Sequence, residues 1–433
     1  MAPPPPELID DVTAEILLRL PPAEPACLFR AALVCKRWLR VICDPAFLRR
    51  YRAFHRTPPL LGLLHGLPVT DGNPGPTFIP IAAAPRFRHP WSDDRRSRDQ
   101  GYRHLQDLDC RHGRVLSDVV DESVGFIVWD PVTGDHQALP VPGIDIPWMT
   151  YTSAVLCGAV DCDHLDCHGK NFRVVLVGSN NTLNTLWASV YSSETSAWST
   201  PISIDYDCDN YVGTSRGALI GDEIYFLLSR GTAIVKYNWG KNRLSLVNPP
   251  PPPLEAYNGW VTLMVMEDSS LGLAGIKNSN LHMWLRKVNT EGSAEWIQSR
   301  VIELETMTPM AKHGPYVVGF AENVSLIFVS TGFSLFAIEP DSGQVRKIPK
   351  RGVSYDVLPY MSFCTPGSRY TGITSEDFLI SVVHPTLKID GSIILSVLLF
   401  ASESYYYEAV SILLRNSIIN GARATMISCH CSC

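Results

Sequence analysis

Five times between residues 124 and 349 the chain repeats one pattern. An apolar run ends in an aromatic, a polar turn follows, and a second run starts at an apolar residue. The instances are VGFIVWDPVTGDHQALP (124–140), LWASVYSSETSAWSTP (186–201), TAIVKYNWGKNRLSLV (232–247), LHMWLRKVNTEGSAEWIQ (281–298) and FSLFAIEPDSGQVRKIP (333–349). Their anchor aromatics are Trp129, Tyr191, Tyr237, Trp284 and Phe336, separated by steps of 62, 46, 47 and 52 residues. Short runs of β-branched and aromatic residues bounded by Gly, Pro, Asn and Asp read as strands. Asp130-Pro131-Val132-Thr133-Gly134 and Pro340-Asp341-Ser342-Gly343 supply tight-turn chemistry, with Gly available for positive φ.

Each unit therefore reads as one hairpin of a four-stranded blade. Preceding runs such as ALIGDEIYFLL (218–228) and VGFAENVSLIFVS (318–330) supply the other two strands. One blade cannot bury both faces, so blades must stack around an axis. The period is that of a kelch-like β-propeller, at about 50 residues per blade. Five units are explicit, and a sixth is expected in 60–120, around Leu60–Leu64, Phe78–Ile81 and Arg114–Val120. An all-β sandwich is the competing arrangement.

The first 56 residues have a different period. Glu7, Asp10 and Asp11 put negative charge in a first helical turn, where the helix dipole favours it. Leu8, Val12 and Ile16 recur at four-residue spacing, with Leu17 and Leu20 widening the face. Pro21-Pro22 stops that helix. Leu28, Ala31, Ala32, Cys35, Trp38, Leu39, Val41 and Ile42 form a second apolar set. After the Asp44-Pro45 turn, Phe47, Leu48 and Tyr51 begin a third helix. Three short helices make a thin core, which a partner surface would complete.

This segment resembles an F-box, the helical module that docks a substrate receptor onto a ubiquitin ligase. The resemblance rests on Pro5/Glu7/Leu8, Ile16/Leu17, Leu20/Pro21/Pro22, Val34/Cys35/Lys36/Trp38 and Asp44/Pro45/Phe47, in the family's order and spacing. Glu24-Pro25-Ala26-Cys27 departs from the commoner short polar linker. The resemblance implies that Leu8, Ile9, Leu20, Pro21, Leu28, Val34 and Trp38 touch a Skp-type adaptor or support the surface that does.

Residues 57–367 resemble the propeller-type associated domain of a large plant F-box family, most like its grass members. Arg56-Thr-Pro-Pro-Leu-Leu-Gly62, Val128-Trp-Asp-Pro-Val-Thr-Gly134, Asp161-Cys-Asp-His-Leu-Asp-Cys-His168, Trp187-Ala-Ser-Val-Tyr-Ser-Ser-Glu-Thr195 and Pro359-Tyr-Met-Ser-Phe363 carry it. The expected organisation is an α plus all-β multidomain chain: a three-helix F-box (1–56), a β-propeller (57–367) and an unassigned tail (368–433). The resemblance implies a non-catalytic substrate receptor that reaches a cullin/RING ligase through the adaptor and holds an unknown protein target. A scaffold that binds the adaptor without promoting ubiquitin transfer is the second reading, and a catalytic propeller the third.

Several features constrain partners. The formal net charge of −6, with 18% charged residues, is too balanced for general nucleic-acid binding. No apolar run reaches membrane-spanning length. The start MAPPPPELIDD lacks the apolar stretch of a secretory signal, so the twelve cysteines are expected to stay reduced in cytoplasm or nucleus. The group Cys157, Cys162, His164, Cys167 and His168 has zinc-ligand chemistry. Its spacing is not that of a finger or ribbon, so a polar loop without metal is expected, and no cofactor. The terminal Cys429, His430, Cys431 and Cys433 are weaker still as a site.

Three other features read as structural. The Arg-rich stretch from Arg86 to Arg103 is diluted by Asp93, Asp94, Asp99 and Asp107 and reads as a solvated loop. The Pro run 249–253 reads as a bridge between blades. Trp148, Trp239 and Trp260 are candidate target anchors, or else packing residues.

Overall fold

A computed structural model describes residues 9–65, 77–81, 87, 105–119, 125–144, 150–180, 182–206, 210–229, 232–251, 257, 260–289, 293–304, 314–331, 334–349 and 356–366. The N-terminal module holds helices α1 (Asp10–Leu17), α2 (Pro25–Ala32), α3 (Lys36–Ile42) and α4 (Pro45–His55). The apolar set at 28–42, read from sequence as one helix, divides between α2 and α3. Cys35 is extended there, and its Sγ accepts the Trp38 N–H at 3.5 Å as the cap of α3. Asp44 caps α4 by accepting the N–H groups of Ala46 and Phe47, with Pro45 at the first helical position.

The buried face of α1 is Thr13, Ala14 and Leu17, not the Val12/Ile16 stripe, which faces solvent. Leu17, Leu18, Leu28, Ile42, Phe47, Leu48 and Tyr51 form the core of the module. The Tyr51 hydroxyl donates to the Leu20 carbonyl at 2.8 Å and ties α4 to the end of α1.

Strands begin at Leu60 with β1 (Leu60–His65) and β2 (Thr77–Pro80). An antiparallel sheet follows: β3 (Leu105–Arg111), β4 (Arg114–Val119), β5 (Phe126–Trp129) and β6 (His136–Leu139). The next contains β7 (Thr150–Cys157), β8 (Phe172–Asn180) and β9 (Thr185–Ser192), edged by two short strands, β10 (Ala197–Trp198) and β11 (Ile202–Asp205), both paired to β9. A third contains β12 (Ala218–Ile220), β13 (Glu223–Leu227), β14 (Ile234–Asn238) and β15 (Arg243–Val247). The fourth contains β16 (Val261–Val265), β17 (Leu271–Lys277), β18 (Asn280–Val288) and β19 (Ala294–Glu303). The fifth contains β20 (Tyr316–Ala321), β21 (Leu326–Ser330), β22 (Leu335–Ile338) and β23 (Val345–Ile348). The last strand, β24 (Val357–Met361), pairs with β1, and β1 pairs with β2.

These six sheets are the blades of a propeller. Each apolar core lies between two neighbouring blades. Leu116, Phe126 and Val128 meet Val174, Leu176 and Trp187. Val177 and Ala188 meet Ile224 and Phe226. The series runs on round the ring until Leu61, Leu64 and Tyr360 meet Val115, Ile127 and Trp129. A sandwich would instead bury two sheets face to face.

All five repeat units fall on the third strand and the edge strand of a blade, namely β5–β6, β9–β10, β14–β15, β18–β19 and β22–β23. Trp129, Tyr191, Tyr237 and Trp284 are buried. Phe336 is half-buried, and Ile338 fills the core at the end of its strand. The predicted turns form: Asp130 Oδ1 accepts the N–H groups of Val132 and Thr133, and Gly134 and Gly343 take φ of 76° and 70°. The expected sixth unit at 60–120 is corrected. Arg114–Val119 belongs to the blade of Trp129, whereas 60–65 and 77–80 join 357–361 from the far end of the chain. The Pro run begins, as expected, between two blades, after β15. Residues 368–433 and nearly all of 82–104 lie outside the described residues.

Gly62 sits in the closing strand with no room for a side chain. A Cβ there would lie 2.3 Å from Phe78 Cζ and 2.5 Å from the Ile79 carbonyl oxygen. Gly62→Ala is expected to destabilise the chain by about 1–3 kcal/mol. Gly143→Ala, with nothing within 4 Å of its Cβ, should stay within about 0.5 kcal/mol of wild type. Urea denaturation of both variants checks the pair.

Candidate functional site

In a meander, successive connections alternate between the two faces of the ring. The chain enters β1 at Leu60, opposite Met361, on the face that carries the β3–β4, β7–β8, β12–β13, β16–β17 and β20–β21 turns. The helical module therefore sits on that face. On α2, Phe29 enters the core between the first and last blades, and Leu33 packs against it. On α4, Arg52 pairs with Asp166 of the β7–β8 loop. Leu165 of that loop and Phe363 after β24 pack into the module's own core, with Phe363 edge-on to Tyr51.

The module's outer side exposes apolar side chains. Ile9 is 62% exposed, Val12 40%, Ile16 49% and Val34 60%. Arg37 of α3 pairs with Asp10 of α1, which holds the start of α1 beside the segment that carries Val34. Of the residues expected at an adaptor surface, Ile9, Pro21 and Val34 are exposed. Leu20 and Trp38 are half-buried against the module core, and Leu28 lies inside it. Leu8 lies outside the described residues. Sequence spacing missed Val12 and Ile16 as outward residues, because a four-residue stripe marks a helix face without saying which side is wet.

The β7–β8 loop brings together residues that its spacing left unconnected. Donor atoms of Cys157, Cys162, His164 and Cys167 all lie within 4.8 Å of one another. Cys162 Sγ is 3.7 Å from Cys167 Sγ, and Cys167 Sγ is 3.6 Å from His164 Nδ1. Their spacing, which is not that of a finger or ribbon, predicts a polar loop without metal. In the fold, Cys157 ends a strand and the loop turns back over it. The loop also holds an Asx turn, in which Asp163 Oδ1 accepts the Leu165 N–H.

Burial pushes the Cys167 thiol pKa well up. Burial also raises that of Cys162, but hydrogen bonds from the His164 backbone and Lys170 outweigh it and bring the value below an ordinary thiol. Burial lowers the His164 pKa and favours its neutral ring. His168 is not part of the group and pairs with Asp130. The terminal Cys429–Cys433 group lies outside the described residues.

A cavity of about 640 Å³ opens on the same face, lined by the first turn of each full blade and by Arg56, Thr57 and Pro58. Near the axis four charges cross the ring, with Asp109 and Arg111 buried and Arg216 and Glu322 half-buried. Arg111 Nε and Arg216 Nε each donate to Asp109 at 3.1 Å, and both guanidinium groups reach Glu322. Asp109 also accepts the Val155 N–H at 2.9 Å. The two acids and two arginines cancel, so the plug holds blades together without a net field. Trp239 packs against a blade core, Trp260 lies over Tyr316 at 5.1 Å, and Trp148 lies outside the described residues.

A helical module with an apolar outer side, seated on a six-bladed propeller, is the architecture of an F-box propeller protein. The chain matches the F-box domain model over residues 6–50. It matches the model described as F-box protein AT5G49610-like, beta-propeller, over residues 107–366. The chain belongs to this family of F-box propeller proteins. No curated protein matches it.

Among solved structures it is similar to a chain of a nidogen/laminin complex at 12% identity, covering 70% of this chain and 99% of that one, with a TM-score of 0.38. It is also similar to a protein from Lactobacillus plantarum (14% identity, 67% and 82% coverage, TM-score 0.37) and to RRP9 WD40 repeats (12%, 61% and 83%, 0.32). At these scores the likenesses carry no argument.

Asp107 contrasts with Asp109. It is buried and accepts only the Ser117 hydroxyl, at 2.6 Å, among the described residues. Burial pushes its pKa up to about 7, against the smaller opposing effect of that hydrogen bond. A carboxyl raised in the folded state favours folding at low pH, and stability is lost as pH rises from the ordinary carboxylate range through about 7. Asp107→Asn is expected to match or exceed wild-type stability at pH 8, with the difference shrinking toward pH 4. Urea midpoints at the two pH values check the sign.

Proposed function

We propose that the chain is the substrate-recognition subunit of a Skp–cullin–F-box ubiquitin ligase. The F-box docks a Skp-type adaptor, and the propeller holds a protein target. The observation that carries this is the apolar side of Ile9, Val12, Ile16 and Val34 on a module that matches the F-box model. Exposed apolar side chains gathered on one side of a small helical module favour a protein partner. Leu20, Leu28 and Trp38 belong to the module's core, and Pro21 is exposed beyond the end of α1.

The mechanism is proximity. An adaptor-bound receptor raises the effective concentration of its target beside a ubiquitin-loaded enzyme, and no residue of this chain does chemistry. The target is assigned to the propeller face opposite the F-box, where the described turns include β8–β9 with the exposed Leu183.

Titration of the full chain with a Skp-type adaptor tests the docking role. Ile9→Asp and Val34→Asp change exposed positions and should leave the circular dichroism spectrum unchanged. Each is expected to weaken adaptor binding tenfold or more, about 1.4 kcal/mol. Leu183→Asp, exposed on the propeller, should leave it unaltered. Equal binding by all three variants, or no binding by the folded wild type, contradicts the proposal.

A further inference from the structure

The β7–β8 loop holds a donor set that the docking role does not use. We infer that Cys157, Cys162, His164 and Cys167 form a closed tetrahedral site for one zinc ion, which stiffens the loop that seats the F-box on the propeller. A tetrahedron with Zn–S of about 2.3 Å and Zn–N of about 2.0–2.1 Å sets its sulfurs about 3.8 Å apart and sulfur from nitrogen about 3.6 Å apart. The loop has 3.7 Å between Cys162 and Cys167 sulfurs and 3.6 Å from Cys167 Sγ to His164 Nδ1.

Three cysteines and one imidazole select a borderline-soft ion over magnesium or calcium, and four protein donors leave no open position for catalysis. Binding releases the thiol protons to solvent. The resulting three thiolates, two zinc charges and neutral ring carry one net negative charge. Lys170 Nζ, 3.3 Å from Cys162 Sγ, stands where it offsets that charge. The His112 ring stacks on His164 at 4.0 Å and 8° and fixes its orientation.

Position gives the site its role. Leu165 and Asp166 lie between the ligands His164 and Cys167. Both meet the F-box, Leu165 through its core and Asp166 through Arg52. An ion at the base of this turn holds both contacts without a large core of their own.

The test measures metal in the full chain purified without chelator, in a Cys429→Ser/Cys431→Ser/Cys433→Ser background so that the tail cannot contribute. One equivalent of zinc is expected by elemental analysis. It should be lost in Cys162→Ser and Cys167→Ser and kept in Cys27→Ser. If either loop variant fails to fold, cobalt titration of the metal-stripped parent is decisive: a tetrahedral cobalt–thiolate spectrum saturating at one equivalent supports the site. Less than a tenth of an equivalent of zinc with no such spectrum overturns it. So does zinc retained in both loop variants, or a Cys162–Cys167 disulfide in freshly purified protein.

Discussion

Strand β1 enters the ring between β24 and β2, and everything else in the structure depends on that insertion. It pairs Leu63 with Pro359 and Leu64 with Leu358, residues almost 300 positions apart in the chain. A propeller blade has two apolar faces, so an unclosed ring would expose one at each end. Here the open ends are covered by a composite blade, with two strands from before the repeats and one from after them. The cores on either side of it, around Leu61 and Tyr360 and around Leu63 and Val357, are as buried as any other between blades.

The same insertion decides where the F-box sits. Only Arg56–Pro59 separate α4 from β1, so closing the ring brings the module onto one face. Four contacts among the described residues mark its seating: Phe29 in the closing core, Phe363 and Leu165 in the helical core, and Arg52 on Asp166. For the receptor role proposed above, a fixed seat would keep a bound target at a constant angle and preserve its effective concentration. The paired charges of Asp109, Arg111, Arg216 and Glu322 bind distant blades across the axis beneath that seat. Removing one partner of such a set leaves a buried charge exposed to the full cost of desolvation.

Much of this was legible from the residues, for identifiable reasons. Trp129, Tyr191, Tyr237 and Trp284 marked the third strand of their blades because a local hairpin writes its turn chemistry beside its apolar anchor. Phe336 misled by two residues, since Ile338 fills the equivalent place and Phe stands only half-buried. Closure was not legible, because strand pairing across the whole chain leaves no local signal. On α1 the spacing of Val12 and Ile16 was correct as helix and silent about direction. The Cys/His loop was unreadable for a related reason. One donor ends a strand and three lie in a turn, so only the fold shows that they converge.

Native-state hydrogen exchange tests the central claim, that β1 and β24 close the ring as an integral blade. The account predicts that amides of Leu60–His65 and Val357–Met361 exchange as slowly as those of β17 and β18, through global unfolding. Fast exchange in β1 and β24 while β17 and β18 stay protected would contradict it, and would mean an open ring with a loosely attached F-box.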